Sequence, residues 1–291
     1  MILSKINGGL STLHNSTNEY QKVVVSNNIS CGLFWLGASK MRITRNYQTY
    51  KKENVIKRGK VDGFSYNSRR RLMDKLSRVD KAKKPLFVTL TFADEHADNK
   101  TVCRHKSIIK AFEMRLYREY PTAGSIWRFE AKDRQSGKYI GEWFPHYHIL
   151  VWNIEDLFTF RKWVAVNWWD LCGSVSPEHY AAGTSVERIK SIKGVFHYAA
   201  KYMAKIANSE TAIKPKIWAM PGRVWGVWRL ENIPYVKAIM CQLTEEESIK
   251  LIRYMRRFAR LDSHDYKSLS IFCNPDFWYS RLADILYGID K

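Results

Sequence analysis

The chain has 291 residues, of which 45% are hydrophobic and 14% aromatic, so it can bury a sizeable core and is not disordered throughout. Its 48 lysines and arginines against 28 acids give a net charge of +20, which indicates a polyanionic partner. Because aromatic side chains that can stack on bases are also plentiful, nucleic acid is favoured over membrane lipid. A charge that serves solubility alone is the alternative.

The sequence carries no sign of membrane insertion or secretion. No apolar run approaches the ~20 residues that span a bilayer, and the N-terminus lacks the pattern of a secretory signal. The cysteines are odd in number and widely spaced, without a CxxC pattern, which is typical of reduced core thiols. We therefore expect a soluble, cytoplasmic protein with no membrane partner.

The N-terminal region, residues 1–65, shows little regular pattern. Short strands are predicted at Val23–Val25 and Leu33–Leu36. From Lys40 to Lys84 there are sixteen Lys or Arg against four acids, so this stretch is expected to lie along a DNA backbone, although a solvated basic face is the alternative. Within it, Ser68–Val79 has the apolar spacing of a helix.

The next elements alternate between strand and helix patterns. Leu86–Phe92 predicts a core strand, with Phe87, Thr89 and Thr91 on one face. Lys100–Tyr120 predicts a helix that Pro121 stops. Ser125–Glu130 predicts a second strand. Because alternate residues of a strand point to opposite sides, Ile126, Arg128 and Glu130 share one face, and Trp127 and Phe129 share the other.

A histidine pair lies on the following strand, Phe144–Trp152. His146 and His148 are two residues apart and point to the same side, so one ion can be shared between them. Ile149–Trp152 is apolar on both faces, which indicates a central, buried strand. Two histidines on a strand are also commonly ordinary polar residues with satisfied hydrogen bonds, so the pair alone does not establish a metal site.

Glu130 strengthens the metal hypothesis. The polar segment Ala131–Trp143 is typical of a hairpin connection, which can fold the Glu130 carboxylate back beside the two imidazoles. Two nitrogen ligands, one carboxylate and open positions for phosphate oxygens suit Mg²⁺ or Mn²⁺, because no thiolate is present. We therefore predict a divalent metal held by Glu130, His146 and His148.

A helix carrying two tyrosines is predicted further along the chain, after a helix at about Glu155–Leu171 and a short strand at Gly183–Arg188. Around Lys193–Lys205, apolar residues follow helical spacing, while Tyr198, Lys201, Tyr202 and Lys205 share a neighbouring arc. Two hydroxyls and two ammonium groups on one stripe predict a surface that faces phosphate. An ordinary amphipathic helix with tyrosines at the core margin is the alternative.

The segment from 231 to 291 is predicted to be a small α/β extension. Tyr235–Leu243 is strand-like, Thr244–Glu247 is a capping box that opens a helix to about Leu261, and a last helix is predicted near Phe277–Tyr287. Four arginines on the first of these helices are candidate phosphate contacts: Arg253, Arg256, Arg257 and Arg260.

The order of elements predicts the fold class. The series β-α-β-β-α-β-α indicates an α+β domain with a mostly antiparallel sheet and helices packed on it. We therefore divide the chain into a basic N-terminal region (1–65), an endonuclease-like domain (66–230) and a C-terminal extension (231–291).

Together the motifs resemble those of the HUH endonucleases, specifically the initiators of rolling-circle replication of single-stranded DNA phages and small plasmids. The resemblance spans about Ser68 to Trp228. Its motifs are Phe87–Phe92, Pro145–His148, Tyr198–Lys205 and the segment Gly222–Trp228. The paired tyrosines and lysines are similar to those of the two-tyrosine subgroup, which includes initiators of the small isometric phages.

The resemblance implies an RRM-like, five-stranded antiparallel sheet and a metal-dependent endonuclease. Tyr198 or Tyr202 would attack single-stranded or hairpin origin DNA, form a covalent 5′-phosphotyrosine and leave a free 3′-hydroxyl. Lys201 and Lys205 would supply cationic charge. No G-x-x-x-x-G-K-[ST] loop occurs in the chain, so a host helicase and a host DNA polymerase are expected partners, in a bacterial cytoplasm if a phage or plasmid encodes the protein.

Three alternatives stay open from the sequence. A two-tyrosine HUH transposase would use the same residues and the same chemistry. A conjugative relaxase is disfavoured, because such enzymes usually carry the tyrosine upstream of a three-histidine motif. From a different class, the chain could be a non-catalytic protein that binds single-stranded nucleic acid on an RRM-like sheet.

Overall fold

The computed structural model describes residues 32–36, 40–44, 64–80, 82–93, 99–133, 140–141, 143–189, 223–236, 239–260, 268–272 and 284. The chain divides into two compact units. The central unit is Lys57–Tyr235, and the terminal unit combines Met1–Ile56 with Val236–Lys291.

The central unit contains one sheet with helices packed on it. Its elements in chain order are α1 (Tyr66–Leu76), β3 (Leu86–Thr91), α2 (Asn99–Glu119), β4 (Gly124–Asp133), β5 (Trp143–Trp152), α3 (Leu157–Cys172), α4 (Pro177–Ala182), β6 (Thr184–Arg188), β7 (Trp225–Trp228) and a 3-10 turn at Leu230–Asn232. The terminal unit contains β1 (Gly32–Leu36), β2 (Lys40–Thr44), β8 (Ile239–Leu243), α5 (Glu245–Ala259) and β9 (Ser268–Phe272).

The central sheet has five antiparallel strands in the order β6-β3-β5-β4-β7. The predicted α+β class is therefore confirmed. Strand β5, which carries both histidines, is the middle strand. Tyr147, Ile149 and Val151 pack into the core on one side of it, and Leu150 and Trp152 pack into the core on the other.

One face of the sheet is covered by α2 and α3. Phe112 and Leu116 of α2 and Phe160 and Trp168 of α3 are all fully or almost fully buried there. Asp156 caps α3 by accepting hydrogen bonds from backbone N–H groups of its first turn, and Gly173, with φ of 64°, ends it. Most of the α3 aromatics are thus core residues, as the sequence predicts, but Phe158 is 78% exposed.

The opposite face is covered in part by α1. Leu72 and Leu76 of this helix pack with Phe87, Ile126 and Leu150, one residue from each of the three middle strands. Helix α1 begins two residues before the predicted start, because the side chain of Ser65 caps it. The apolar part of this face ends at that row, and polar side chains continue along the strands.

The terminal unit joins segments from both ends of the sequence. Its four strands are antiparallel in the order β8-β1-β2-β9, and α5 packs on them through Leu251, Ile252 and Met255. The sequence predicts separate regions at 1–65 and 231–291, whereas strands from both pair here. Local hydrophobic patterns give no information on which distant strands pair, so this grouping was not predictable from them.

Some predicted elements differ from the structure or lie outside what it describes. The strand predicted at Tyr235–Leu243 begins only at Ile239, and α4 was not predicted. The strand at Val23–Val25, the tyrosine helix and all of the last helix except Asp284 lie outside the described residues. Among the described helices, none is long and apolar enough to cross a membrane.

The capping box of α5 is present as the sequence predicts. The Glu247 backbone N–H donates to Thr244 Oγ1 at 3.2 Å, and the Thr244 backbone N–H donates to Glu247 Oε2 at 2.7 Å. Each bond satisfies a backbone donor that the helix itself leaves without a partner. Arg253 and Arg257 are exposed on α5, and their contact with phosphate stays a prediction.

We expect Thr244→Ala to lower the free energy of unfolding of the terminal unit by about 1 kcal/mol, because it removes the side-chain cap. Thr244→Ser keeps the hydroxyl and serves as the control, with little expected change. Urea denaturation followed by circular dichroism measures both. Equal stabilities of the alanine and serine variants would contradict the prediction.

Candidate functional site

A polar cluster lies on the α1 face of the central sheet, beyond the apolar part that α1 covers. Direct cross-strand partners share one face of a sheet, so the register of β3, β5 and β4 places six side chains together in two rows. The first row is Thr91, His146 and Glu130, and the second is Thr89, His148 and Arg128. We call these six residues the polar rows.

Both imidazoles are held from the β3 side by a threonine hydroxyl. Thr89 Oγ1 lies 3.2 Å from His148 Nδ1, and Thr91 Oγ1 lies 3.0 Å from His146 Nδ1. The Phe87 ring stacks beside the His148 ring, with centroids 5.6 Å apart and planes 12° from parallel. The two histidine rings are thus oriented alike, with Nδ1 toward β3 and Nε2 left for other partners.

The backbone of Thr91 is fixed at the end of β3. Its N–H donates to the Gly183 carbonyl at 2.8 Å. Its carbonyl oxygen accepts from Trp168 Nε1 at 2.7 Å and, because a carbonyl only accepts, from His179 Nε2 at 2.9 Å. Gly183 permits this arrangement, since a Cβ at that position would overlap the His179 ring. The core on the far face therefore anchors the strand that holds the histidines.

Glu130 lies beside His148, with 3.4 Å between Glu130 Oε2 and His148 Nε2. The predicted placement of this carboxylate beside an imidazole is confirmed. Burial by itself raises the pKa of the Glu130 carboxyl, but the hydrogen bond to His148 and the charges of Arg128 and the histidines outweigh it, so the pKa lies below its ordinary value. Glu130 is therefore ionised at neutral pH and is available as an oxygen ligand.

Arg128 is a buried cation at the edge of the polar rows. It is only 3% exposed, and its guanidinium carbon lies 4.3 Å from the centroid of the Phe64 ring. Burial lowers the pKa of Arg128, and the neighbouring Glu130 charge opposes that effect. Arg128 thus supplies positive charge next to the carboxylate from inside the fold.

Glu130, His146 and His148 fit a divalent ion by donor chemistry. Two ligand atoms that each lie about 2.1 Å from one ion are about 3.0 to 3.4 Å apart at octahedral or tetrahedral angles, which matches the separation of Glu130 Oε2 from His148 Nε2. The two histidine rings are 6.5 Å apart between centroids and 14° from parallel. In the described part of the chain no three His, Cys, Asp or Glu side chains form a complete ligand set, so His146 would have to turn toward the other two.

The other predicted site residues, Tyr198, Lys201, Tyr202 and Lys205, lie outside the described residues. Three residues of the polar rows were not assigned to the site from the sequence: Thr89, Thr91 and Arg128. A signal for each was present, because Thr-x-Thr and Arg-x-Glu put polar residues on one face of strands that are otherwise apolar.

Comparison with known proteins gives a match to one family model. Residues 85–207 match the model of a replication-associated protein family of the ORF2 type. The matched stretch includes β3 through β6, the whole of the polar rows and the positions of Tyr198 and Tyr202. The match supports a replication initiator family and a role in DNA replication. No curated protein and no solved structure matches the chain.

We expect Arg128→Met to raise the pKa of Glu130, because it removes a positive charge beside the carboxylate. Arg128→Lys keeps the charge and is the control, in which the pKa should stay below its ordinary value. Titration of the Glu130 carboxyl carbon by ¹³C NMR, in metal-free protein, measures both. An unchanged pKa in Arg128→Met would show that the Arg128 charge has no such effect.

The same variant has a consequence for stability. A carboxyl whose pKa is lowered in the folded state stabilises the fold above its ordinary pKa of 4.5, and this contribution is lost as the pH falls through the lowered value. With a higher folded-state pKa, Arg128→Met should lose the contribution at a higher pH than Arg128→Lys. Unfolding midpoints measured between about pH 3 and pH 6 test this order, which spans the ordinary range of carboxyl pKa values.

Proposed function

We propose that this protein is a replication initiator that nicks and rejoins single-stranded DNA, starting and ending rolling-circle replication of a phage or plasmid. The observation that carries the proposal is the convergence of Glu130, His146 and His148 on one face of two adjacent strands. The family match and the net charge of +20 support a nucleic-acid substrate.

Glu130, His146 and His148 would hold a Mg²⁺ or Mn²⁺ ion. When bound, such an ion polarises the scissile phosphate and offsets its negative charge. The protein's own part is to keep Glu130 ionised, to present both imidazoles through Nε2, and to hold these groups on strands fixed by the core. A site on rigid strands loses little free energy to reorganisation when substrate binds.

The nucleophile in this proposal is the phenolic oxygen of Tyr198 or Tyr202. It forms a bond to phosphorus while the bond from phosphorus to the 3′-oxygen breaks, and the departing oxygen takes up a proton. The products are a 5′-phosphotyrosine and a free 3′-hydroxyl that a polymerase can extend. Since tyrosine has an ordinary pKa of about 10, the charges of Lys201 and Lys205 would favour the phenolate.

Two tyrosines one helical turn apart would let the cycle close. One holds the first 5′ end while the other cuts the regenerated origin after a round of synthesis. The new 3′-hydroxyl then attacks the first phosphotyrosine and releases a circle, with no ATP needed because the phosphotyrosine retains the energy of the phosphodiester bond. The strand must be unpaired at the cut, so a host helicase and polymerase are the expected partners.

We expect a covalent protein–DNA adduct when the protein is incubated with single-stranded DNA from its own replicon and Mn²⁺. The adduct should be lost with EDTA, survive Tyr198→Phe or Tyr202→Phe alone, and be lost in the double variant. Tyr180→Phe is a matched control, because Tyr180 is an exposed tyrosine on α4 and its variant should form the adduct as wild type does. Denaturing gel electrophoresis of labelled DNA, with and without protease, measures the adduct.

A second candidate function is non-catalytic binding of single-stranded nucleic acid. One observation favours it: the described residues do not form a complete three-residue ligand set. Tight binding without metal dependence, and with no adduct in any of these reactions, would establish that function instead. A two-tyrosine transposase would give the same adduct, and only a requirement for transposon ends rather than a replication origin would identify it.

A further inference from the structure

We propose that Thr89 and Thr91 are positioning residues of the ion site, which fix His148 and His146 through Nδ1 and so keep both Nε2 atoms for the ion. The inference rests on the proposed function, since it concerns the same site. It assigns a role to strand β3, which otherwise supplies no ligand.

The geometry that supports this role is repeated in two rows. Each threonine is the direct antiparallel partner of one histidine, and each hydroxyl oxygen is within hydrogen-bond distance of that histidine's Nδ1, at 3.2 and 3.0 Å. The two imidazoles are consequently nearly parallel. A repeated contact of this kind is expected when both rings must present the same nitrogen, and partners of this type orient metal-binding histidines in general.

A hydroxyl suits this position because it can donate or accept a hydrogen bond. Without an ion, His148 Nε2 faces the Glu130 carboxylate, which only accepts, so the proton resides on Nε2 and Thr89 donates to Nδ1. When an ion occupies Nε2, the same ring carries its proton on Nδ1 and donates it to Thr89. The threonine hydroxyl therefore supports both states, and the ring need not gain or lose a proton overall.

Valine is the matched replacement, because it has the shape of threonine, favours strands and lacks the hydroxyl. We expect Thr89→Val and Thr91→Val each to weaken Mn²⁺ binding about 10- to 100-fold, the range found when such orienting partners are removed. Thr89→Ser and Thr91→Ser keep the hydroxyl and should restore most of the affinity. Thr184→Val, in the edge strand β6 opposite Leu90, is the control for loss of a threonine from the same sheet.

Calorimetric titration with Mn²⁺ gives the affinities, and ¹⁵N NMR of histidine ring nitrogens in metal-free protein gives a second readout. Thr89→Val should shift the Nδ1 signal of His148, and Thr91→Val that of His146, while Thr184→Val shifts neither. Valine variants that bind Mn²⁺ as tightly as wild type would overturn the positioning role and leave the proposed function standing.

The two proposals fail in different ways. If wild type binds no divalent ion, the proposed function fails and the positioning role fails with it, whatever the NMR signals show. If wild type binds Mn²⁺ and the valine variants change neither the affinity nor the ring nitrogen signals, only the positioning role fails. Loss of affinity in the valine variants with recovery in the serine variants supports both.

Discussion

The antiparallel register of β3, β5 and β4 is the constraint on which the rest of the site depends. It places Thr91 beside His146 and Glu130, and Thr89 beside His148 and Arg128. A shift of one residue in either pairing would send these side chains to the opposite face, among the aromatic residues under α2 and α3. The register is held by the apolar residues at the other end of the same strands, so the packed core determines where the polar groups meet.

The polar rows are costly to the fold, because they place charged and hydrogen-bonding groups against a mostly buried sheet. That cost is offset within the cluster itself. Arg128 stacks on Phe64 and lowers the pKa of Glu130, while the threonines satisfy the imidazoles. The histidines and the carboxylate are thereby ready to act before any substrate arrives. Such preorganisation is the property that a site for phosphodiester chemistry requires.

Much of the central unit could be predicted from the sequence, because its strands and helices have clear periods of two and 3.6 residues. The placement of Glu130 beside the histidine strand followed from a hairpin between neighbouring segments. The roles of Thr89 and Arg128 did not, since they depend on the pairing of β3 with β5 and on which aromatic residue covers Arg128. The terminal unit was missed for a similar reason: β1 and β8 are about 200 residues apart in the chain, and no local pattern reports on their pairing.

The most direct test of the account is whether Glu130, His146 and His148 bind one ion. Pulsed electron paramagnetic resonance of bound Mn²⁺ detects directly coordinated ¹⁴N nuclei. The account predicts coupling to two imidazole nitrogens in the wild type and to one in either His146→Gln or His148→Gln. Bound Mn²⁺ with no nitrogen coupling, or with coupling that neither substitution changes, would contradict it.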